Sequence, residues 1–451
     1  MDDLRAALER SAQRHLEELR RLVRVPSVSA KSQAIDEAVE VCVELLEARG
    51  LDVRVHTTPG HPIVTASGGA QDAPTLLFYE HYDVQPVEPL DLWTVEPFDV
   101  TERDGCLYGR GTADTKGHII LRLAAIDACR EVFGTDPIGY RFVIEGEEEI
   151  GSPNFEPFVA DHADELRADG CLWEFGSVDA DGRPTVTLGL KGVLSCELSV
   201  RVPERDLHSS LGVVVDNPLW RLCAAIASLR DADGRVLVDG FYDDVEPLSD
   251  AELAALRAEP DRTAELRKTA GVDRFLGGVE GAELTRRLAA EPCVNINGIS
   301  GGYAGPGGKT VLPAVATAKL DVRLVPGQRP ERVADLITSH LERHGFGDVE
   351  LHVLAGEAAG RTPIDDPFVA LVAAAARDAY GAEPVVHVSS AGSGPAYPFR
   401  EYLRVPFASC GCAYPGSRAH APDEHVRLGD YELGKLHTAL VVARMAPRAA
   451  N

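Results

Sequence analysis

The chain has 451 residues, a formal net charge of −26 and a hydrophobic fraction of 45%. Because this length exceeds what one hydrophobic core usually serves, the sequence predicts two domains. A strongly negative surface repels phosphate backbones and anionic lipids, so we expect neither a nucleic-acid partner nor a membrane partner. No apolar run approaches the roughly 18 to 20 residues that cross a bilayer.

The nine cysteines are scattered without a C-x-x-C pair. A disulfide framework is unusual in a chain of this length, so reduced thiols are expected. The first residues form a charged amphipathic pattern and lack the apolar core of a signal peptide. These features together predict a cytoplasmic protein.

Apolar periodicity predicts alternating helices and strands in the N-terminal part of the chain. The predicted helices cover residues 4–25, 35–49 and 116–133, and the predicted strands cover residues 75–79, 140–144 and 171–175. Such alternation is typical of an α/β domain whose mostly parallel sheet is flanked by helices. In such sheets, ligands bind beyond the carboxyl ends of the strands.

The pattern changes after residue 192 and returns from about residue 363. The intervening part predicts a strand at 193–202, a helix at 218–229, charged helical sequence at 246–291, a glycine-rich stretch at 297–309, and a β-α-β set at 317–325, 331–344 and 349–354. Helices at 367–380 and 431–446 and strands near 385 and 407 then resume the first pattern. We therefore predict a discontinuous α/β domain, residues 1–192 and 358–451, with a smaller α+β domain, residues 193–357, inserted into it.

Histidines and acids follow several of the predicted strands. The set consists of His81 and Asp83, Asp114 in a glycine-rich loop, Glu148 and Glu149, Glu174, and His420 in a loop near the C-terminus. Taken singly, each has an ordinary explanation: a surface ion pair, a solvated acidic run or a helix N-cap. Taken together, they converge on one sheet edge, where carboxylates would repel each other unless a cation neutralised them.

Imidazole and carboxylate ligands suit zinc and neighbouring divalent metals. Two histidines and three acids make two three-ligand sites if one carboxylate is shared. Three protein ligands per ion leave a position for water, which is typical of a catalytic site. The sequence therefore predicts a two-metal hydrolytic centre.

Two motifs make the chain resemble a known family. Residues 109–117 read Gly-x-Gly-x-x-Asp-x-Lys-Gly, and residues 145–152 read Glu-Gly-x-Glu-Glu-x-Gly-Ser. Further matching segments follow in the family's order at residues 81–86, 206–209, 309–313, 323–327 and 419–420. Over nearly its whole length the chain resembles the co-catalytic zinc peptidases that include carnosinase, aminoacylase and succinyl-diaminopimelate desuccinylase, and within them the carnosinase-like cytosolic dipeptidases.

The resemblance implies two metal ions, zinc in the first place, with manganese or cobalt as alternatives. It places one ion on His81 and Glu174 and the other on Glu149 and His420, with Asp114 bridging and followed by a cis peptide bond. The chain departs from the family at Glu174, where an aspartate is usual. Glutamate reaches one methylene further, so this ligand assignment is the one that the resemblance supports least.

The other implied roles surround the metals. Asp83 accepts the ring N–H of His81, Glu148 is the general base that activates a water shared by the two ions, and His208 helps to stabilise the oxyanion. Arg323 grips a substrate carboxylate, with additional donors from Gly392, Ser393 and Gly394.

The expected activity is metal-dependent hydrolysis of dipeptides that carry a free carboxylate. The alternative is an N-acyl amino acid deacylase or desuccinylase with the same metals; a catalytically silent binding module is disfavoured, because Glu148 and Asp114 are both present. His208 lies in the inserted domain and the predicted ligands lie outside it, so either hinge closure within one chain or a second chain must bring it to the metals. The resemblance implies the second route: a homodimer in which the inserted domain is a lid and dimerisation domain and His208 reaches the partner's site. A simpler alternative is that His208 only caps the turn at residues 207–211.

Overall fold

The computed structural model describes residues 1–447 and divides the chain into two compact units. Unit 1 comprises residues 1–189, 361–388 and those from 398 onward, and unit 2 comprises residues 190–360 and 389–397. Residues 389–397 were predicted to belong to the first domain. They belong to unit 2 because Ser393 forms a β-bridge with Lys191 and accepts a hydrogen bond from Arg323.

Eleven α-helices are found within residues 1–447. They are α1 (Asp2–Val23), α2 (Ile35–Glu47), α3 (Lys116–Phe133), α4 (Phe155–Asp161), α5 (Pro218–Ser228), α6 (Asp250–Ala258), α7 (Thr263–Ala270), α8 (Gly281–Ala290), α9 (Pro330–Arg343), α10 (Pro367–Tyr380) and α11 (Leu428–Met445). No helix in this part of the chain is both long and apolar enough to cross a membrane.

The strands of the N-terminal half are β1 (Asp52–His56), β2 (Ile63–Gly69), β3 (Thr75–His81), β4 (Thr101–Arg103), β5 (Cys106–Tyr108), β6 (Gly139–Glu145), β7 (Gly170–Trp173), β8 (Thr185–Thr187), β9 (Gly189–Leu190), β10 (Gly192–Arg201) and β11 (Leu207–His208). Those of the C-terminal half are β12 (Cys293–Gly301), β13 (Val311–Leu312), β14 (Val315–Leu324), β15 (Val349–Glu357), β16 (Gly360–Arg361), β17 (Val385–His387), β18 (Phe407–Ser409) and β19 (His425–Arg427).

Unit 1 is built on a six-stranded sheet in the order β1-β2-β6-β3-β7-β18. The four strands β6, β3, β7 and β18 are parallel, and β1 and β2 are antiparallel additions at one edge. Helix α3 packs against α1, α11 and β3, and every residue from Lys116 to Ile126 is buried. A helix enclosed in this way can be apolar on all sides. The carboxyl ends of the parallel strands meet at one edge, as the sequence predicted.

Unit 2 is built on the antiparallel sheet β12-β14-β10-β15. Burial alternates residue by residue along β10 and β14, so one face of the sheet is apolar and packs against α5 and α9. The outer strands β12 and β15 are mostly exposed. This unit has its own apolar core, separate from that of unit 1.

Several predicted elements differ from the observed ones. The strand predicted at 171–175 ends at Trp173, because Phe175 adopts a left-handed conformation with φ 61° that ends the extended chain. The glycine-rich stretch predicted at 297–309 begins inside the edge strand β12, and the helical sequence at 246–291 forms three short helices.

Candidate metal centre

The predicted ligands of unit 1 lie at adjacent strand ends. His81 is the last residue of β3 and pairs in register with Glu145, the last residue of β6. Glu148 and Glu149 occupy a one-turn 3-10 helix just after β6, and Glu174 directly follows β7. Because β6, β3 and β7 are neighbours and parallel, their carboxyl ends deliver these side chains to one place.

The first ligand group surrounds the imidazole of His81, which is fully buried. Its Nε2 atom lies 2.9 Å from Glu174 Oε2, 3.2 Å from Asp114 Oδ1 and 3.8 Å from Glu148 Oε2. Its Nδ1 atom lies 3.0 Å from the backbone oxygen of Asp83 and 3.3 Å from Asp83 Oδ1. With a proton on Nδ1 facing Asp83, the lone pair of Nε2 points toward the carboxylates, where a metal ligand must point it.

The second ligand group surrounds His420. Its Nε2 atom lies 3.0 Å from Asp114 Oδ2 and 3.0 Å from Glu149 Oε2. Asp114 therefore presents one oxygen to His81 and the other to His420, which is the placement that a bridging carboxylate requires. The peptide bond after Asp114 is cis, so that expectation is confirmed.

The shifted pKa values in this cluster indicate an excess of negative charge, which bound cations would neutralise. Burial and the neighbouring Glu174 raise the pKa of Glu148 well above its usual range, and burial raises the pKa of Glu174 to about 7. Burial alone would lower the pKa of His81, but the surrounding carboxylates raise it well above its usual range. Hydrogen bonds with Asp114 and Glu149 raise the pKa of His420 to about 10. Protons are held here because carboxylates crowd one another, and cations could take their place.

The donor set fits two divalent cations. One set of three ligand atoms comes from His81, Glu148 and Glu174, a second comes from Asp114, Glu149 and His420, and within each set the atoms lie within 4.8 Å of one another. Glu149 Oε1 is buried and has no hydrogen-bond partner among residues 1–447, so it retains the capacity to bind an ion. Nitrogen and oxygen donors of this kind suit zinc, manganese or cobalt.

Two residues that support the ligands were given no role from the sequence. Gln85 donates through Nε2 to the backbone oxygen of Glu149 at 3.1 Å and to its Oε2 at 2.9 Å. The buried carboxylate of Glu145 accepts hydrogen bonds from Tyr79 at 2.8 Å and from Ser152 at 2.9 Å. Both lie inside segments that carry the family resemblance, which was the available signal, but their partners depend on the tertiary fold.

The remaining predicted residues lie in unit 2. Arg323, on β14, donates to Ser393 Oγ at 2.8 Å, and its Nε lies 2.9 Å from Asp321. The neighbouring Gly392 accepts a backbone hydrogen bond from Lys191 at 2.9 Å, in the same segment as Gly394. These contacts fix the guanidinium plane beside a short loop.

His208 is exposed, and its Nδ1 atom accepts a hydrogen bond from the backbone N–H of Ser210 at 3.2 Å. It therefore caps the 3-10 turn over Ser209–Val213. Because the cap uses Nδ1, it is compatible with a role of the His208 ring in a partner's site.

Comparison with known proteins gives consistent matches. The model of the peptidase family M20/M25/M40 matches residues 77–443, a span that contains every predicted metal ligand. An M20 family metallo-carboxypeptidase from Sulfolobus solfataricus superposes with a TM-score of 0.89 and 36% identity, covering 96% of this chain and 99% of that one.

Two curated relatives are similar in sequence. The beta-Ala-His dipeptidase of Homo sapiens is 32% identical over 72% of this chain and 66% of its own length, slightly under two thirds. The cysteinylglycine-S-conjugate dipeptidase of Corynebacterium striatum is 31% identical over 80% of this chain and 78% of its own.

Proposed function

Because the chain belongs to peptidase family M20/M25/M40, we propose that it is a two-metal peptidase that hydrolyses dipeptides with a free α-carboxylate. The observation that carries this proposal is the position of Asp114, which faces His81 with one oxygen and His420 with the other. The names of the relatives, two dipeptidases and a metallo-carboxypeptidase, support small peptides with a free C-terminus as substrates.

In this proposal His81 and Glu174 hold one ion, Glu149 and His420 hold the other, and Asp114 serves both. Zinc is the first choice, with manganese or cobalt as alternatives. When bound, two such ions would polarise the substrate carbonyl and lower the pKa of water. The assignment of Glu174 as a ligand despite its extra methylene is supported by its Oε2 atom, which lies 2.9 Å from His81 Nε2.

Glu148 is the proposed general base. Its Oε2 atom lies 3.8 Å from His81 Nε2, at the ligand cluster, and its side chain is 19% exposed to solvent. It can therefore take a proton from the attacking water and pass it to the departing amine. Asp83 holds the proton on Nδ1 of His81 and so keeps the tautomer fixed.

Arg323 is the proposed anchor for the substrate carboxylate. A guanidinium group binds carboxylates through two parallel hydrogen bonds, and Asp321 and Ser393 already set its plane. Gly392 and Gly394 flank Ser393; the N–H of Gly392 donates to Ser390 Oγ at 3.1 Å and holds the loop, and the N–H of Gly394 is the proposed additional donor. An anchor of this kind would favour dipeptides over amides of the same dipeptides.

We further propose a homodimer whose contact lies in unit 2, the lid and dimerisation domain, with His208 supplied to the partner's site. Large exposed apolar side chains follow His208, namely Leu211, Val213, Val214 and Trp220. Exposed apolar patches of this kind mark interaction surfaces. A cytoplasmic location is proposed on the nine cysteines, all of which are free.

Substrate and metal dependence test the main proposal in one experiment. The chelated protein is reloaded with zinc, manganese or cobalt and assayed on dipeptides, on their C-terminal amides and on N-acyl amino acids. We expect no hydrolysis before reloading and the fastest hydrolysis for free dipeptides. Undiminished activity in metal-free protein would refute the two-metal mechanism, and faster turnover of N-acyl amino acids would favour the deacylase alternative.

A further inference from the structure

Glu424 is a fully buried carboxylate in the loop between His420 and β19. Its Oε1 atom accepts hydrogen bonds from three backbone N–H groups: Gly111 at 3.0 Å, Ala113 at 2.9 Å and Asp114 at 3.0 Å. Its Oε2 atom accepts one from Arg110 Nη1 at 2.6 Å. Backbone N–H groups that converge on one oxygen form a strong and directional anion cradle.

This cradle orients the loop that ends in Asp114. Three N–H groups within four residues must point to a single atom, so the backbone before the Asp114 side chain has little freedom. A fourth backbone N–H of the same loop, that of Gly109, donates to the backbone oxygen of Glu424 at 2.9 Å. Because Glu424 lies four residues after His420, it connects two ligand-bearing loops that are about 300 residues apart in sequence.

The charge of this carboxylate is balanced by Arg110, which is not one of the proposed metal ligands. Arg110, 2% exposed, donates through Nη1 to Glu424 and through Nη2 to the backbone oxygen of Pro86 at 3.2 Å. Its guanidinium carbon lies 5.4 Å from the ring centroid of Trp93. The Glu424 carboxylate is therefore committed to the backbone cradle and to Arg110.

We propose that Glu424 is a positioning residue of the metal centre, one that holds Asp114 and His420 at the separation in which both can bind the same ion. This inference rests on the proposed function. A buried ion pair could instead serve stability alone, and the two roles differ in what they do to metal affinity.

The test is a titration of metal-free protein with cobalt(II), followed by visible absorption and by metal stoichiometry. In Glu424→Gln the shape of the side chain is kept, but its charge is lost and an amide N–H₂ meets Arg110. We expect one of the two cobalt equivalents to bind about 10- to 100-fold more weakly, the usual effect of losing a group that orients a ligand. Glu424→Asp, which restores the charge on a shorter arm, should recover part of that loss.

Asp127→Asn is the matched control. Asp127 is a carboxylate of unit 1 held by Arg49 and His15, in helix α3 away from the ligand loops. Its replacement should lower the free energy of unfolding in urea without changing either cobalt affinity.

Three results would overturn the positioning role: unchanged cobalt affinities in Glu424→Gln, an equal loss of cobalt affinity in Asp127→Asn, or failure of both Glu424 variants to fold, which would make the carboxylate a folding determinant. If the unaltered protein binds no cobalt, the proposed function itself fails. The two failures are therefore distinguishable.

Discussion

Glu148 and Glu149 are neighbours in one turn with different proposed roles, base and ligand. Glu148→Gln removes the proton acceptor but keeps the size of the side chain. We expect kcat to fall about 10²- to 10⁴-fold, the usual contribution of a general acid–base, while metal content and thermal stability are retained. Steady-state kinetics with metal analysis on the same sample checks this, and a metal-replete variant with normal kcat would assign the base to another residue.

His118, buried in α3, predicts a pH dependence of stability. Its Nε2 atom accepts a hydrogen bond from the backbone N–H of Cys412 at 3.3 Å, and burial lowers its pKa from 6.5 to about 3. The unfolded chain therefore binds one proton more than the folded chain between these two values. The contribution of His118 to stability is complete above about pH 6.5 and is lost as the pH falls toward 3, by about 1.4 kcal/mol per pH unit.

Urea unfolding of metal-free protein across that pH range measures the effect. In His118→Gln the ring is absent, so the pH dependence of the free energy of unfolding should be shallower by that slope. Identical pH profiles of the variant and the unaltered protein would show that the ring takes up its proton at the same pH in the folded and the unfolded protein.

Single residues also show which parts of the site could be predicted from the sequence. The grouping of His81, Asp114 and Glu174 could be predicted, because each follows a predicted strand or lies in a glycine-rich loop, and such positions meet at one edge of the sheet. Glu424 and Gln85 could not, because their hydrogen-bond partners lie in loops that only the folded chain brings together.

At the scale of elements, the N-terminus of α3 is fitted closely to the loop that carries Asp114. A Cβ atom added at Gly117 would lie 2.1 Å from the backbone oxygen of Thr112, so the loop must move. Gly117→Ala should therefore weaken metal binding by about tenfold or more and lower activity with it, as measured by metal titration and kinetics.

Gly134→Ala, at the other end of the same helix, is its control. Within the described part of the chain, no heavy atom other than those of its neighbours in sequence lies within 4 Å of a Cβ built at Gly134. Its φ of 74° suits glycine, so we expect a loss of about 1 kcal/mol in stability with normal metal affinity. If Gly117→Ala bound metal as tightly as this control, the fit between helix and loop would not matter for the site.

The helices predicted at 116–133 and 367–380 have the observed bounds of α3 and α10, whereas the helix predicted at 35–49 ends at Glu47. Helix α3 ends before Gly134, and α10 begins with Pro367 after Asp366, whose side chain accepts a hydrogen bond from the N–H of Phe368 at 2.9 Å. Strand β1 and the start of β12 were not predicted, although Val53 and Val55 in the first and Val294 and Ile296 in the second alternate with polar residues. Such short alternating runs at the edges of sheets are weak signals on their own.

At the scale of the whole molecule, the proposed homodimer predicts complementation between two inactive chains. Glu148→Gln lacks the base and His208→Ala lacks the proposed oxyanion donor. If His208 acts in the partner's site, a mixed dimer has one intact site, and random pairing should restore about a quarter of full activity.

Co-refolding the two variants and assaying the mixture tests this, with each variant refolded alone as the reference. Mixed dimers are verified by a mass tag on one chain. Verified mixed dimers without activity would mean that His208 acts within its own chain or only caps its turn.

The two imidazoles of the metal centre differ sharply in their contact with solvent: the side chain of His81 is fully enclosed, whereas that of His420 is 53% exposed. An ion held through His420 would meet water and competing chelators along a shorter route than one held through His81. The two positions should therefore empty at different rates. Brief exposure to a chelator would then empty the position at His420 first. A second metal added afterwards would fill that position, and the protein would carry the original metal at His81 and the second metal at His420.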